Sequence, residues 1–217
     1  MRKGVCGHEE KYMQIAISGN IGAGKTELTK LLAKHYGYKT VTGPTEENPY
    51  LNSFYEDMRR WSFNMMVYTL YANIKQLDEL NRNNVSFIRD RSLYDDAYIF
   101  APNLQSMGLM TSRDLTTYTN LFEMTYSLLP QPDLLIYLKC DVPTLIRHIQ
   151  KRGRELESGI RLDYLTNLND RYEKWADNYE GKMLVVDMDE CDFVESREDL
   201  GHIINRIDAE FNSLFKG

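Results

Sequence analysis

The chain is short of several things, and each shortage excludes a class of protein. No run of 18 or more apolar residues occurs, so no membrane-spanning helix and no membrane partner is expected. The opening stretch Met1-Arg2-Lys3-Gly4-Val5-Cys6-Gly7-His8-Glu9-Glu10 has no apolar core of the secretory kind, which points to a cytoplasmic protein. Cysteine is scarce. Cys6, Cys140 and Cys191 are far apart, odd in number and in no metal-ligand spacing, so they read as free thiols in a reducing compartment. Basic residues are in deficit, with 26 Lys and Arg against 32 Asp and Glu, for a net charge of −6. That balance argues against a nucleic-acid coat. It leaves room for an enzyme that gathers cations locally around phosphates. Repeats, linkers and low-complexity tracts are also missing.

What remains is an ordinary soluble composition, 42% hydrophobic and 27% charged over 217 residues. That is enough chain for one domain with a full core, taken here as 1–217, and it excludes wholesale disorder. Residues 1–11 read as a loose tail. Short apolar strands are expected at 12–18, 38–42, 85–88, 133–139 and 183–187. Helical spacing is expected at 27–36, 53–82, 93–101, 112–128, 142–152, 161–179 and from 197 onward. Short strands apolar on both faces, alternating with helices, predict an α/β fold with a parallel sheet covered by helices.

One motif carries chemistry by itself. Gly19-Asn20-Ile21-Gly22-Ala23-Gly24-Lys25-Thr26 fits G-x-x-x-x-G-K-[ST], between a predicted strand and a predicted helix. Glycines let successive backbone N–H groups turn toward a phosphate. Lys25 brings a mobile cation, Thr26 offers a hydroxyl to Mg²⁺, and the helix dipole favours the anion. A chance match in a chain this long is roughly a 1% event. The motif implies a nucleoside triphosphate such as ATP. No Asn-Lys-x-Asp guanine motif is present, and a small kinase is the natural class.

Further motifs resemble the deoxynucleoside kinase family, most closely its bacterial deoxyadenosine/deoxyguanosine kinase branch. They are the glycine motif, Glu47-Asn48-Pro49-Tyr50-Leu51 with Phe54-Tyr55, Arg60-Trp61-Ser62-Phe63, Asp90-Arg91-Ser92 through Asp96, and Arg152-Gly153-Arg154. The resemblance covers nearly the whole chain after residue 12. It implies a P-loop fold with five parallel strands, an arginine-rich lid at about 152–160 and a homodimer built on long helices. It also implies ATP and Mg²⁺, with a small deoxynucleoside or deoxynucleotide as acceptor. Position by position it implies that Asp90 helps place Mg²⁺, that Arg91 lies near the acceptor oxygen and that Asp96 reads the base edge. Tyr55 and Glu157 would hold the sugar 3′-hydroxyl, and Arg152 and Arg154 would form the lid. Each has a plainer reading: a helix cap for Asp90, a surface ion pair for Arg91, a solvated helix residue for Asp96, core for Tyr55, and a solvated charge run for the arginines.

Four positions depart from what the resemblance implies. Gly43 stands where the family has its catalytic glutamate, Met66 where it has a base-binding glutamine, and Asn73 where it has an arginine near the base. His148, beside Arg147, replaces an arginine before the lid. A nucleoside hydroxyl benefits from a general base, typically by about 10²–10⁴-fold. A 5′-phosphate is already ionised, and a glutamate beside it would repel it. Glycine at 43 therefore points to a deoxynucleoside 5′-monophosphate as acceptor. A deoxynucleoside kinase using Glu46 or water as base is the alternative. A nucleotide-binding regulator without catalysis is a further one, against which Lys25, Thr26, Asp90 and the lid arginines argue.

Overall fold

The computed structural model describes residues 12–44, 47–153 and 161–214, apart from the side chains of 152, 213 and 214. Its centre is a five-stranded sheet in the order β2-β3-β1-β4-β5. The strands are β1 (Gln14–Gly19), β2 (Lys39–Thr42), β3 (Phe87–Asp90), β4 (Leu134–Lys139) and β5 (Met183–Asp187). Every pairing is parallel. All six residues of β1 and five of six in β4 are buried, as expected of strands covered on both faces. No helix among the described residues is long and apolar enough to cross a membrane.

Alternate strand residues feed different cores. Ile15, Ile17, Ile88 and Ile136 face one side, where they meet Leu28 and Leu32 of α1 (Lys25–Tyr36) and Ile203 and Ile207 of α8 (Arg197–Leu214). Phe87 faces the other side with Met66, Leu70 and Leu77 of α3 (Met58–Arg82) and Tyr118, Phe122 and Tyr126 of α5 (Ser112–Tyr126). Further along that side, Tyr137 stacks on Tyr172 of α7 (Leu162–Ala176), beside Leu168. The remaining helices are α2 (Leu51–Glu56), α4 (Ala101–Ser106) and α6 (Val142–Arg152).

Three expectations shift in the structure. The helix predicted over 53–82 is two helices, because Asp57 leaves helical geometry (φ −145°, ψ 85°) and its carboxylate caps α3 by accepting from the Arg60 N–H. The strand predicted over 85–88 runs instead over Phe87–Asp90, so Arg89 and Asp90 belong to the sheet. The helix predicted over 93–101 is a π-helical segment, Asp95–Phe100, that runs into α4. Cys140 and Cys191 are free thiols, as expected.

Ile136 is fully buried in the central strand region. Ile136→Ala should lower unfolding stability by about 2–5 kcal/mol. Met124→Ala, at a 63% exposed position, should change it by less than about 0.5 kcal/mol. Urea denaturation of both variants checks the contrast.

Candidate active site

The glycine motif turns at the carboxyl end of β1 and opens α1. Gly22 (φ 86°) and Gly24 (φ 94°) adopt left-handed conformations that side chains avoid. A Cβ on Gly22 would also meet the Leu145 carbonyl oxygen and Ile149 Cγ1 at 2.9 Å, so α6 packs directly under the loop. The loop is fastened from three sides. His148 Nδ1 of α6 sits 3.0 Å from the Gly22 carbonyl. Asn20 Nδ2 donates to the Leu165 carbonyl and to Asn169 Oδ1 of α7, both at 3.1 Å. Lys25 Nζ curls back to donate to the Gly19 and Asn20 carbonyls at 2.8 Å.

The end of β3 lies beside this loop because β1 and β3 pair with Ile17 opposite Asp90. Thr26 Oγ1 donates to Asp90 Oδ2 at 2.6 Å. Asp90 does not cap the next helical turn; Ser92 Oγ accepts the Tyr94 N–H there. The next residue, Arg91, has φ 75°, a backbone conformation that costs a non-glycine residue about 1–3 kcal/mol. Its guanidinium carbon lies 4.5 Å over the Phe100 ring. Its Nη1 is 3.9 Å from Asp96 Oδ1, and its side chain stays 41% exposed.

Asp96 is 9% exposed, not solvated, and Asn73 Nδ2 donates to its Oδ2 at 3.4 Å. Asn73 is buried too. Tyr55 on α2 is 61% exposed, which removes its core reading. Met66 is packed in the α3 core. Gly43 follows Thr42, the residue paired with Asp90 in the β2–β3 register, so it stands at the same sheet edge. Glu46, Arg154, Glu157 and the Arg152 side chain lie outside the described residues, and with them most of the expected lid at 152–160.

The structure adds residues that the motifs did not reveal. Asp95 is fully buried beneath the loop. Its Oδ1 accepts from Ser18 Oγ at 2.5 Å and its Oδ2 from the Tyr172 hydroxyl at 3.1 Å. Burial pushes its carboxyl up to about 7, against the pull of the Ser18 hydrogen bond, Lys25 and Arg91. Arg89 is buried on the α3 side of the sheet, where desolvation lowers its guanidinium to about 10. The only sequence signal for Asp95 is a second acid inside the apolar stretch Leu93 to Phe100.

A glycine-rich turn at a helix N-terminus, a lysine folded over it and a hydroxyl–carboxylate pair at its rim define a P-loop site built for phosphoryl transfer. Comparison with known proteins narrows the class. The family model described as deoxynucleoside kinase matches residues 15–212, and the chain belongs to that family. It is 35% identical over 203 residues to the deoxyadenosine/deoxycytidine kinase of Bacillus subtilis (strain 168), covering 92% of this chain and 94% of the relative. It is 33% identical to the deoxyguanosine kinase of the same organism, covering 87% and 93%. Among solved structures, the deoxyadenosine kinase of M. mycoides with bound dATP matches with a TM-score of 0.76 at 33% identity, over 91% of this chain and 100% of that one. The same enzyme with products dCMP and a flexible dCDP gives 0.77. The chain is thus a member of an ATP-dependent phosphotransferase family with the expected α/β architecture.

Asp95 provides a pH test. Its raised value means the folded protein holds that proton more tightly than the unfolded chain does. Its contribution to stability is therefore largest at low pH and is lost as pH rises from about 4 toward its folded value. Asp95→Asn keeps the shape but cannot ionise. The melting temperature of the wild type minus that of the variant should fall as pH rises from about 5 to 8. A constant difference would count against a titrating Asp95.

Proposed function

We propose that the protein transfers the γ-phosphoryl group of ATP, with Mg²⁺, to the 5′ end of a deoxynucleoside-type acceptor. The observation that carries this reading is the 2.6 Å contact between Thr26 Oγ1 and Asp90 Oδ2 at the rim of the glycine loop. Two hard oxygen donors suit Mg²⁺, which binds through one or two protein groups and keeps waters and phosphate oxygens as its other ligands. No cluster of three or more His, Cys, Asp or Glu forms a cation site among the described residues. A cation carried on the donor phosphates needs no such cluster. In the loaded protein the Thr26 hydroxyl would turn to the metal, and Asp90 would hold the metal or its water. Lys25 would leave the loop carbonyls for the phosphates. The loop's glycine N–H groups at Gly22 and Gly24 would meet them, those of Ile21 and Ala23 being taken by Asn20 Oδ1 and the Asn20 carbonyl. Arg91, Arg152 and Arg154 would neutralise charge as it moves between oxygens. A cytoplasmic homodimer belongs to the same reading.

The finer question is the acceptor, which Tyr55, Met66, Asn73, Asp96 and Glu157 would surround. Gly43 stands one residue beyond the Thr42–Asp90 pair. A glutamate there would add a second carboxylate beside Asp90. Glycine supplies no base for a 5′-hydroxyl and no charge against a 5′-phosphate, which favours a deoxynucleoside 5′-monophosphate. The names of the relatives favour the other reading, a free deoxynucleoside; Glu46 or water would then take the proton.

Coupled ADP release on deoxynucleosides and their monophosphates, run side by side, separates the two. Turnover of monophosphates is expected. Turnover of nucleosides alone would sink the monophosphate reading, and ATP binding without turnover on either panel would indicate a regulator. Gly43→Glu should depress monophosphate turnover by about tenfold or more and raise nucleoside turnover toward the gain a general base supplies. In a second assay, Thr26→Ala should lower kcat by roughly ten- to hundredfold and raise the Mg²⁺ concentration needed for half-maximal rate. An unchanged Mg²⁺ titration would remove Thr26 from the metal site.

A further inference from the structure

Arg89 is a charged residue in the interior of a sheet. Its strand neighbours Phe87 and Ile88 belong to the cores, and Arg89 itself is only 3% exposed. A buried guanidinium costs several kcal/mol unless its donors are met. Among the described residues its hydrogen bonds go to neutral oxygens. Nε donates to the Arg91 carbonyl at 3.1 Å, Nη1 to Gln76 Oε1 at 3.2 Å and Nη2 to Asn73 Oδ1 at 2.5 Å.

The last contact has a directional consequence. A guanidinium only donates. Asn73 must therefore turn its carbonyl toward Arg89, which leaves its NH₂ group for the opposite side. On that side Asn73 Nδ2 meets Asp96 Oδ2 at 3.4 Å. The other Asp96 oxygen, Oδ1, faces the exposed Arg91 at 3.9 Å. One polarity runs from cation through amide to carboxylate.

We propose that Arg89 is a positioning residue for base recognition: acting through the Asn73 amide, it orients Asp96 so that Oδ1 accepts a hydrogen bond from an exocyclic amino group of the acceptor's base. The inference rests on the reading of Asp96 as the residue at the base edge, and it names the substrate class of that edge. Amino-bearing bases fit, and their carbonyl-bearing counterparts do not, because an ionised carboxylate cannot donate. Burial pushes the Asp96 carboxyl up, while Arg91 and Arg89 pull it back. The other charged or titratable groups around it are Asp95 on its own turn, Tyr118 of α5 and Tyr172 of α7. Without Arg89, Asp96 takes up a proton more readily and the Asn73 amide is free to flip. Both changes let a base carbonyl in.

The test uses acceptor pairs that exchange an amino group beside a bare ring nitrogen for a carbonyl beside a ring N–H: deoxycytidine with deoxyuridine and deoxyadenosine with deoxyinosine, as nucleosides or 5′-monophosphates, whichever the protein turns over. The wild type should favour the amino member at least tenfold in kcat/KM, with a ratio that is flat from pH 6 to 8, below the ionisation of the ring N–H of the carbonyl members. Arg89→Met should lower that ratio about tenfold, make it recover as pH rises, and act through the acceptor KM with the ATP KM unchanged. Arg89→Lys should restore most of the preference. A folded Arg89→Met protein with the wild-type ratio overturns the proposal, as does a loss shared equally with the ATP KM. Should Arg89→Met fail to fold, Asn73→Asp takes its place: it pairs with Arg89 and sets a like charge against Asp96, so an unchanged ratio there also overturns it. Asp96→Asn separates the two levels. If that change leaves the ratio intact, the reading of Asp96 is wrong; if it collapses the ratio while the Arg89 and Asn73 variants do not, only the relay is wrong. A wild type indifferent to the pairs overturns both.

Discussion

The parallel pairing of β1 with β3 is the constraint from which the site follows. Gln14 to Ile17 lie opposite Phe87 to Asp90 in unbroken register. Gly19 leaves β1 two residues beyond Ile17, so the loop begins where β3 ends. The Thr26–Asp90 contact needs that alignment. A slip of one residue would turn Asp90 to the α3 face of the sheet, away from Thr26 on α1. The same slip would swap the surroundings of Ile88 and Arg89. The apolar alternation that builds the two cores thus also sets the positions of the rim carboxylate and the buried arginine.

Beneath the glycine loop lies a polar layer where one might expect only apolar packing. Ser18, Asp95 and Tyr172 join β1, the π-helical segment and α7. Asn20 joins the loop to α7 a second time, and His148 joins it to α6. Such networks strengthen in a low-dielectric interior when their members are satisfied, and they fix one arrangement over near alternatives. The helices on either side of residues 154–160 are therefore both fastened to the nucleotide loop.

A chain with net charge −6 that handles phosphates has to concentrate its cations. Around this site it does so at two depths. Lys25 and Arg91 reach the rim, whereas Arg89 is withdrawn into the sheet and touches the site only through Asn73. Asn73 looked at first like the loss of a basic group near the base. In the folded protein a guanidinium stands directly behind it, supplied by a different element. The charge behind Asp96 thus comes from a strand, and on the proposed reading it orients that carboxylate.

The sequence by itself determined the fold class and brought out the glycine loop with its lysine and threonine. Short strands apolar on both faces leave few architectures open, and the glycine motif states its own geometry because all its parts are contiguous. Lys25, Thr26 and the loop glycines were legible for that reason, and Asp90 was legible through a neighbouring motif. Element ends were less so. Asp57 breaks a helix whose apolar spacing runs straight through it, since a capping interaction leaves no mark on periodicity. Only the tertiary structure decided what Asp95 and Arg89 do. Their side-chain partners lie on other elements: Asp95 finds Ser18 and Tyr172, each 77 positions away, and Arg89, besides the nearby Arg91 carbonyl, finds Asn73 across a strand–helix interface. Contacts at that separation depend on which strands pair and in what register, and these are set by burial summed over the whole chain, not by any local run of residues.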